Sequence, residues 1–357
     1  MLRKKNNKIL SIFSLFFLYY LLYTFKKSKN PINLNNNFKK FYLFKEFNKI
    51  YSSLYFLAKT GKANRPIYNI NIIKNYNYNN QRKKGLCLCT VGKKENLYAK
   101  EFVNYYKLLG FNKIIIFDNN DIGDERFEDV LKDDIKNKFV EIVDIRGLLS
   151  VQIPANNFCY KIYNELYDWI AFFDFDEYLF INGSKNISNY IYNKRFQNCE
   201  SILFNWHFYN DNDLEKYDNR TLLERFKRFK YKSSRVKSIV RGNIKNLIIP
   251  STHIIGINIH YFCNSNGKRI FPKSFKDIKM YKYKAFIKHF YTKTAEEFCY
   301  KINKGDVQFH EDQPNYLSII NGKINIFFAI NNITLQKIKI LEDCSHLNLT
   351  RFKLKIK

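Results

Sequence analysis

No cysteine pair in this chain has zinc-site spacing, and the count of seven is odd, so the sequence offers no disulfide framework. Cys87 and Cys89 sit one residue apart in an apolar stretch, face the same way in an extended chain, and read as core rather than redox chemistry. No glycine-rich phosphate loop stands near residue 90, which argues against a nucleotidyl or sugar-phosphate transferase. Acidic residues are few, 32 against 61 Lys and Arg, giving a net charge of +29. Such an excess favours nucleic acid, an anionic membrane surface or phosphate-bearing ligands. The basic residues are spread along the whole chain without a basic helix or nucleic-acid motif, so no nucleic-acid partner is expected. Lys, Asn and Ile are abundant, so signals made only of Lys or Asn are discounted, including the sequons at Asn182, Asn186, Asn219, Asn332 and Asn348.

What is present is an ordinary apolar fraction, 46% of 357 residues, and an unusual aromatic one, with 34 Phe and 27 Tyr. A core can form. Residues 1–8 are basic and residues 9–25, ILSIFSLFFLYYLLYTF, carry no charge. That run is slightly short of the roughly 20 residues that span a bilayer but within the tolerated range. No small-residue cleavage site comes after it, so an uncleaved single-pass anchor is expected, with the membrane as a partner. The longer basic cluster precedes it, favouring a cytoplasmic N-terminus. The domain then lies beyond the membrane: type II in the ER or Golgi of a eukaryote, or on the inner membrane of a bacterium. Residues 26–84 read as a stem with some helix around 38–59.

From Gly85 the pattern changes. GLCLCTVG reads as a buried strand, residues 95–109 as an amphipathic helix stopped by Gly110, and NKIIIFDNND as a second strand. Next come a helix near 125–136, a strand FVEIVDI, a helix near 154–167 and a fourth strand. Strands alternating with helices predict an α/β class with a doubly wound, mostly parallel sheet over 85–310, and then an appendage over 311–357. Ligands of such sheets sit beyond the carboxyl ends of the strands. Thr90 and Lys93, Asp118 and Asn119, Asp144 and Arg146, and Asp174, Asp176 and Glu177 fall at those ends.

The fourth strand, WIAFFDFDEYLF, sets three carboxylates in one of the most apolar runs of the chain. Charges near a core cost several kcal/mol unless something neutralises them. In an extended strand Asp174 and Asp176 face the same side, about 7 Å apart. Two acids so placed repel unless a cation bridges them, and oxygen ligands suit Mg²⁺ or Mn²⁺ completed by a nucleotide diphosphate. The alternative is a strand end with solvated or turn-capping acids.

Four blocks in order resemble glycosyltransferase family 92 and the related family-2-like glycosyltransferases. They are CTVGKKENLYAKEFVNYYKLLGFNKIIIFDNND, WIAFFDFDEYLFI, NWHFYNDNDLEKYDNRTLLERF and KAFIKHFYTKTAEEFCYKINKG, together covering roughly residues 85–305. In the first, Lys94-Glu95-Asn96 inverts the family's Asn-Glu order; in the last, Phe290 replaces Tyr and Thr294 replaces Ser. The resemblance implies a GT-A fold, a UDP-linked sugar donor with galactose as first choice, a glycan or glycoconjugate acceptor, Mn²⁺ or Mg²⁺, and inversion at the sugar carbon. It also implies roles for single residues. Asp176 is the first metal ligand, and Asp174 reaches ribose, metal or metal-bound water. Asp118 contacts the nucleoside or is a turn acid pairing with Asn120. Thr90 and Lys93 hold uracil or phosphate, unless Lys93 is solvated. His289 either adds a metal ligand or packs beneath the helix starting at Thr294. Lys293 meets a phosphate, whereas Thr294 and Glu297 read as a capping box. Asp211 or Asp213 is the base for the acceptor hydroxyl. Arg225 or Arg228 binds diphosphate, or both line a helix from Thr221 to Lys230. A membrane-anchored sugar-binding scaffold that has lost the chemistry is the alternative.

Overall fold

A computed structural model describes residues 85–148, 151–253, 256, 258–272, 284–307 and 316–344. The expected anchor at 9–25, the stem at 26–84 and the helix at 38–59 lie outside them. Among the described residues no helix is long and apolar enough to cross a membrane.

The first half builds as its periodicity predicts. β1 (Leu86–Gly92), β2 (Lys113–Asp118), β3 (Val140–Asp144) and β4 (Trp169–Phe172) pair in parallel in the order β3-β2-β1-β4. Alternate residues feed opposite faces. Leu86, Leu88, Ile114 and Ile116 pack with Tyr98, Phe102, Val103 and Tyr106 of α1 (Asn96–Leu108). Cys87, Cys89, Ile115 and Phe117 pack with Ala155, Phe158 and Tyr163 of α4 (Gln152–Tyr163). Helices therefore cover both faces. The stretch expected as one helix near 125–136 is two short ones, α2 (Phe127–Val130) and α3 (Lys132–Lys136).

The structure departs from expectation in three further places. The expected fourth strand is two: the chain breaks after Phe172, turns through 173–176, and resumes as β5 (Glu177–Ile181) at the far edge of the sheet. The expected helix from Thr221 to Lys230 is one turn, α6 (Leu222–Arg225), closed at its start by a Thr221–Glu224 capping box. The chain then extends into β7 (Phe229–Arg241), whose first half is largely exposed. β7 lies antiparallel between β4 and β6 (Ser201–Tyr209), and β10 (Ala285–His289) joins β6 in parallel and β5 antiparallel. β3, β2, β1, β4, β6 and β10 thus share one direction, opposed by β7 and β5. Two short strands, β8 (Phe262–Asn264) and β9 (Arg269–Ile270), extend β6 at one side. Helix α5 (Ile187–Ile191) comes after β5.

The third departure is covalent. Disulfides join Cys89 to Cys159, Cys199 to Cys263 and Cys299 to Cys344, leaving Cys87 buried and free. The odd count concealed a framework of three bridges plus one core thiol. The first ties β1 to α4. The third ties α7 (Ala295–Asn303) to the end of α9 (Leu335–Glu342), and those two helices share an apolar core with α8 (Tyr316–Ile330). The Cys199–Cys263 bridge spans 64 residues of sequence. Replacing both cysteines with alanine is expected to cost about 2–4 kcal/mol, read as a lower urea midpoint with an otherwise two-state transition.

Candidate active site

The strands that share a direction end on one edge, and the turn 173–176 stands at its centre. Phe173 and Phe175 anchor that turn in the core, with Phe175 stacked 5.3 Å from Phe127. A Cβ on Gly92 would sit 2.4 Å from Phe127 and 2.7 Å from Phe175, so β1 and the turn approach this closely only with glycine there. With both phenylalanines inward, Asp174 and Asp176 are left to face polar partners. Glu177 folds back, its Oε2 accepting from the Asp174 amide at 2.9 Å.

The cations that meet these acids are lysines. Lys237 of β7 donates to Asp174 Oδ2 at 2.7 Å and lies 3.4 Å from Glu177 Oε2. Lys301 of α7 donates to Asp176 Oδ2 at 2.7 Å and to the Tyr291 carbonyl at 2.9 Å. Gln152 of α4 donates to Asp174 Oδ1 at 2.9 Å. Burial opposes charge on Asp176, but Lys301, His289 and Lys293 outweigh it and hold the carboxyl well below its ordinary range. Burial pushes Glu177 well above its range, and its Oε1 has no hydrogen-bond partner. Lys237, Lys301 and Gln152 are absent from the residues expected on sequence grounds. Lys237 carries a signal of the same kind as the acids, a charge set between Val236, Ile239 and Val240.

His289 ends β10 with Nε2 3.4 Å from Asp176 Oδ1. Its ring is packed between Trp206 and Phe208, at 4.3 and 5.1 Å, and burial lowers its pKa while Asp176 opposes that shift. Its Nδ1 is buried without a partner. Lys293 is also buried, in a left-handed conformation (φ 53°), with its ammonium 3.8 Å from the Tyr98 ring centre. Lys304 pairs with Glu95 nearby, and Lys93 pairs with Asp121 at 3.1 Å. Thr294 and Glu297 form the expected capping box at the start of α7.

Asp118 ends β2 and is 1% exposed. Its Oδ1 accepts from the Asn120 amide at 2.9 Å, and Arg146 lies 3.9 Å from Oδ2. Burial raises it from 3.8 to about 6. A carboxyl raised in the fold contributes stability below its unfolded pKa, and that contribution is lost as pH rises through the folded value. Asp118→Asn is therefore expected to raise the Tm at pH 7–8 and leave it unchanged near pH 3, by thermal unfolding across pH. An acid kept where it destabilises the fold is a candidate for function rather than packing. Thr90 is buried with its hydroxyl unpartnered.

The remaining expected residues lie on α6 and on the loop that leaves the edge after β6. Arg225 puts both terminal nitrogens on Glu297, at 2.7 and 2.9 Å, with its side chain 1% exposed. Asp211 is fully buried 2.7 Å from Lys337 of α9, which is equally buried. Asp213 is exposed, paired with Arg228 and accepting from Asn332.

Among the described residues no group of three or more His, Cys, Asp or Glu side chains forms a metal cage. Asp176 and His289 supply one carboxylate and one imidazole nitrogen. Hard divalent cations bound chiefly by substrate phosphates need only one or two protein ligands. The residues fit such a shared ion better than a resident one.

The sequence profile of glycosyltransferase family 92 matches residues 82–318. A family 92 protein of Oryza sativa subsp. japonica is 24% identical over 119 residues, 33% of this chain and 20% of the relative. One of Ricinus communis is 24% identical over 109 residues, 30% of this chain and 19% of the relative. The chain thus spans about a fifth of the length of these plant relatives. A crystal structure of S. aureus TarS, residues 1–349, overlaps 76% of this chain and 75% of its own at 12% identity and a TM-score of 0.30. The same protein in complex with UDP-GlcNAc overlaps 76% of each chain at 11% identity and a TM-score of 0.31. By the match over residues 82–318, the chain belongs to glycosyltransferase family 92.

Proposed function

We propose that this chain transfers a sugar, galactose as first choice, from a UDP-linked donor to a glycan hydroxyl, with inversion, on a GT-A-type sheet. The observation that carries the reading is the Asp174–Asp176 turn at the carboxyl edge, set against Lys301, Lys293 and His289. Family membership supports the reaction class. Asp118 and Thr90 on the neighbouring strands are assigned to the nucleoside. Lys293 and Lys301, beside Asp176, are assigned to the diphosphate, their ammoniums stabilising the charge that grows on the leaving group. Asp176 and His289 would hold Mn²⁺ or Mg²⁺, which when bound adds Lewis-acid stabilisation of that charge.

Of the two acids expected as the base, Asp213 has access to solvent and Asp211 does not. Asp213 is therefore assigned to the acceptor hydroxyl. Its bonds from Asn332 and Arg228 hold it below its ordinary range, so an incoming acceptor must displace them. Arg225 takes no part in this scheme.

Three disulfides favour an oxidising compartment, which supports placing the domain beyond a membrane from an anchor at 9–25. The test is a thermal-shift screen of nucleotide sugars with and without Mn²⁺. UDP-sugars are expected to raise the Tm, and more so with metal. A flat response to every nucleotide sugar would leave the scaffold reading in place.

A further inference from the structure

We propose that the two C-terminal helices α8 and α9 clamp the catalytic edge, with Asn331 and Lys337 as positioning residues. The clamp is a matter of structure alone; its bearing on turnover rests on the glycosyl-transfer reading. Two loops leave that edge, one after β6 (210–215) and one after β10 (290–294). Both contain non-glycine residues in left-handed conformations: Asn212 at φ 52°, Asp213 at 64° and Lys293 at 53°. Such residues persist only where their surroundings over-determine them. The surroundings here are the residues that join and open the C-terminal helices.

Asn331 is buried and reaches both loops at once. Its Oδ1 accepts from the Asp211 amide at 2.9 Å, and its Nδ2 donates to Thr292 Oγ1 at 3.1 Å. Asn332 donates to Asp213 Oδ1 and Thr334 to Glu215 Oε1, each at 2.9 Å. Lys337 meets Asp211 and also donates to the Asn332 carbonyl at 2.8 Å, closing the segment on itself. The loop after β10 passes the restraint to the acid turn, since the Phe290 amide donates to the Asp176 carbonyl at 2.9 Å. Helices needed only to cover α7 would require the apolar contacts and the Cys299–Cys344 bridge they already have. The polar side chains of the segment that joins them, Asn331, Asn332 and Thr334, together with Lys337 of α9, go instead to the two loops carrying Lys293 and Asp213.

The test compares the full chain with Asn331→Ala by amide hydrogen exchange and by hydrolysis of UDP-galactose with Mn²⁺. Amides of 210–215 and 290–294 are expected to exchange about tenfold faster together, with β1 to β4 unchanged, because stability is lost locally. The kcat is expected to fall about tenfold, with KM moving less than about threefold, as befits lost transition-state positioning. Asp211→Asn with Lys337→Met removes the buried pair without stranding either charge and is expected to loosen the first loop alone. Unchanged exchange in either loop of Asn331→Ala overturns the clamp. Loosened loops with unchanged kcat overturn its bearing on turnover. If the unaltered chain hydrolyses no UDP-sugar, that result counts against the transfer reading, and exchange still decides the clamp.

Discussion

Asp176→Asn is expected to lower kcat for UDP-galactose hydrolysis by a factor of about 100–1000, the scale of losing one preorganised electrostatic element of a transition state. Three features make this the most sensitive position. Asp176 lies at the carboxyl edge of the sheet, it holds Lys301, and its Oδ1 faces the imidazole of His289. The amide keeps the shape and one acceptor oxygen but loses the charge that a lysine and a divalent ion would both use. Folding suffers less than chemistry, because the Lys301 side chain is 19% exposed and its ammonium can turn to water. Circular dichroism and the urea midpoint should therefore show a folded protein while turnover fails. Hydrolysis within a factor of about two of the unaltered chain would remove Asp176 from the mechanism.

Arg225→Met is expected to show the reverse, a large loss of stability with nucleotide affinity unchanged. Breaking a buried ion pair leaves an uncompensated charge and costs about 3–5 kcal/mol. The partner left behind is Glu297, which also accepts from the Tyr98 hydroxyl at 2.7 Å and caps α7 through Thr294. Arg225, Tyr98 and Glu297 thus join α6, α1 and α7 in one buried network. Adding Glu297→Gln should recover part of the stability, since the amide can still cap the helix without a stranded charge. A titration with UDP separates this role from the diphosphate contact expected on sequence grounds. Loss of affinity in a variant whose thermal stability is unchanged would reinstate that contact.

The first half of the sheet is legible in the sequence because its strands are short, apolar and separated by amphipathic helices. The period changes at each boundary, and a polar residue marks each strand end. The break inside WIAFFDFDEYLF is not legible, since nothing in its aromatic pattern distinguishes one long strand from a strand, a turn and another strand. Phe173 and Phe175 are apolar because they anchor the turn, not because they extend the ladder. β7 is hidden for another reason: its first half, FKYKSSR, is largely exposed and alternates only through Phe229 and Tyr231 before four polar residues, Lys232, Ser233, Ser234 and Arg235. The disulfides join residues 70, 64 and 45 positions apart, separations that only the folded topology relates. The acids of the site stand out because a charge in an apolar run demands an explanation. Lys237 in VKSIV and Lys337 in QKIKIL pose the same demand, but single lysines are lost against the background of so basic a chain.

Isothermal titration of the chain with UDP, run with and without Mn²⁺ and repeated on Asp176→Asn, bears most directly on the assignment of the edge to a nucleotide diphosphate. The expected result is binding that Mn²⁺ tightens by about tenfold or more, an effect that Asp176→Asn abolishes while some metal-free affinity from the lysines remains. No heat of UDP binding in either condition would contradict it.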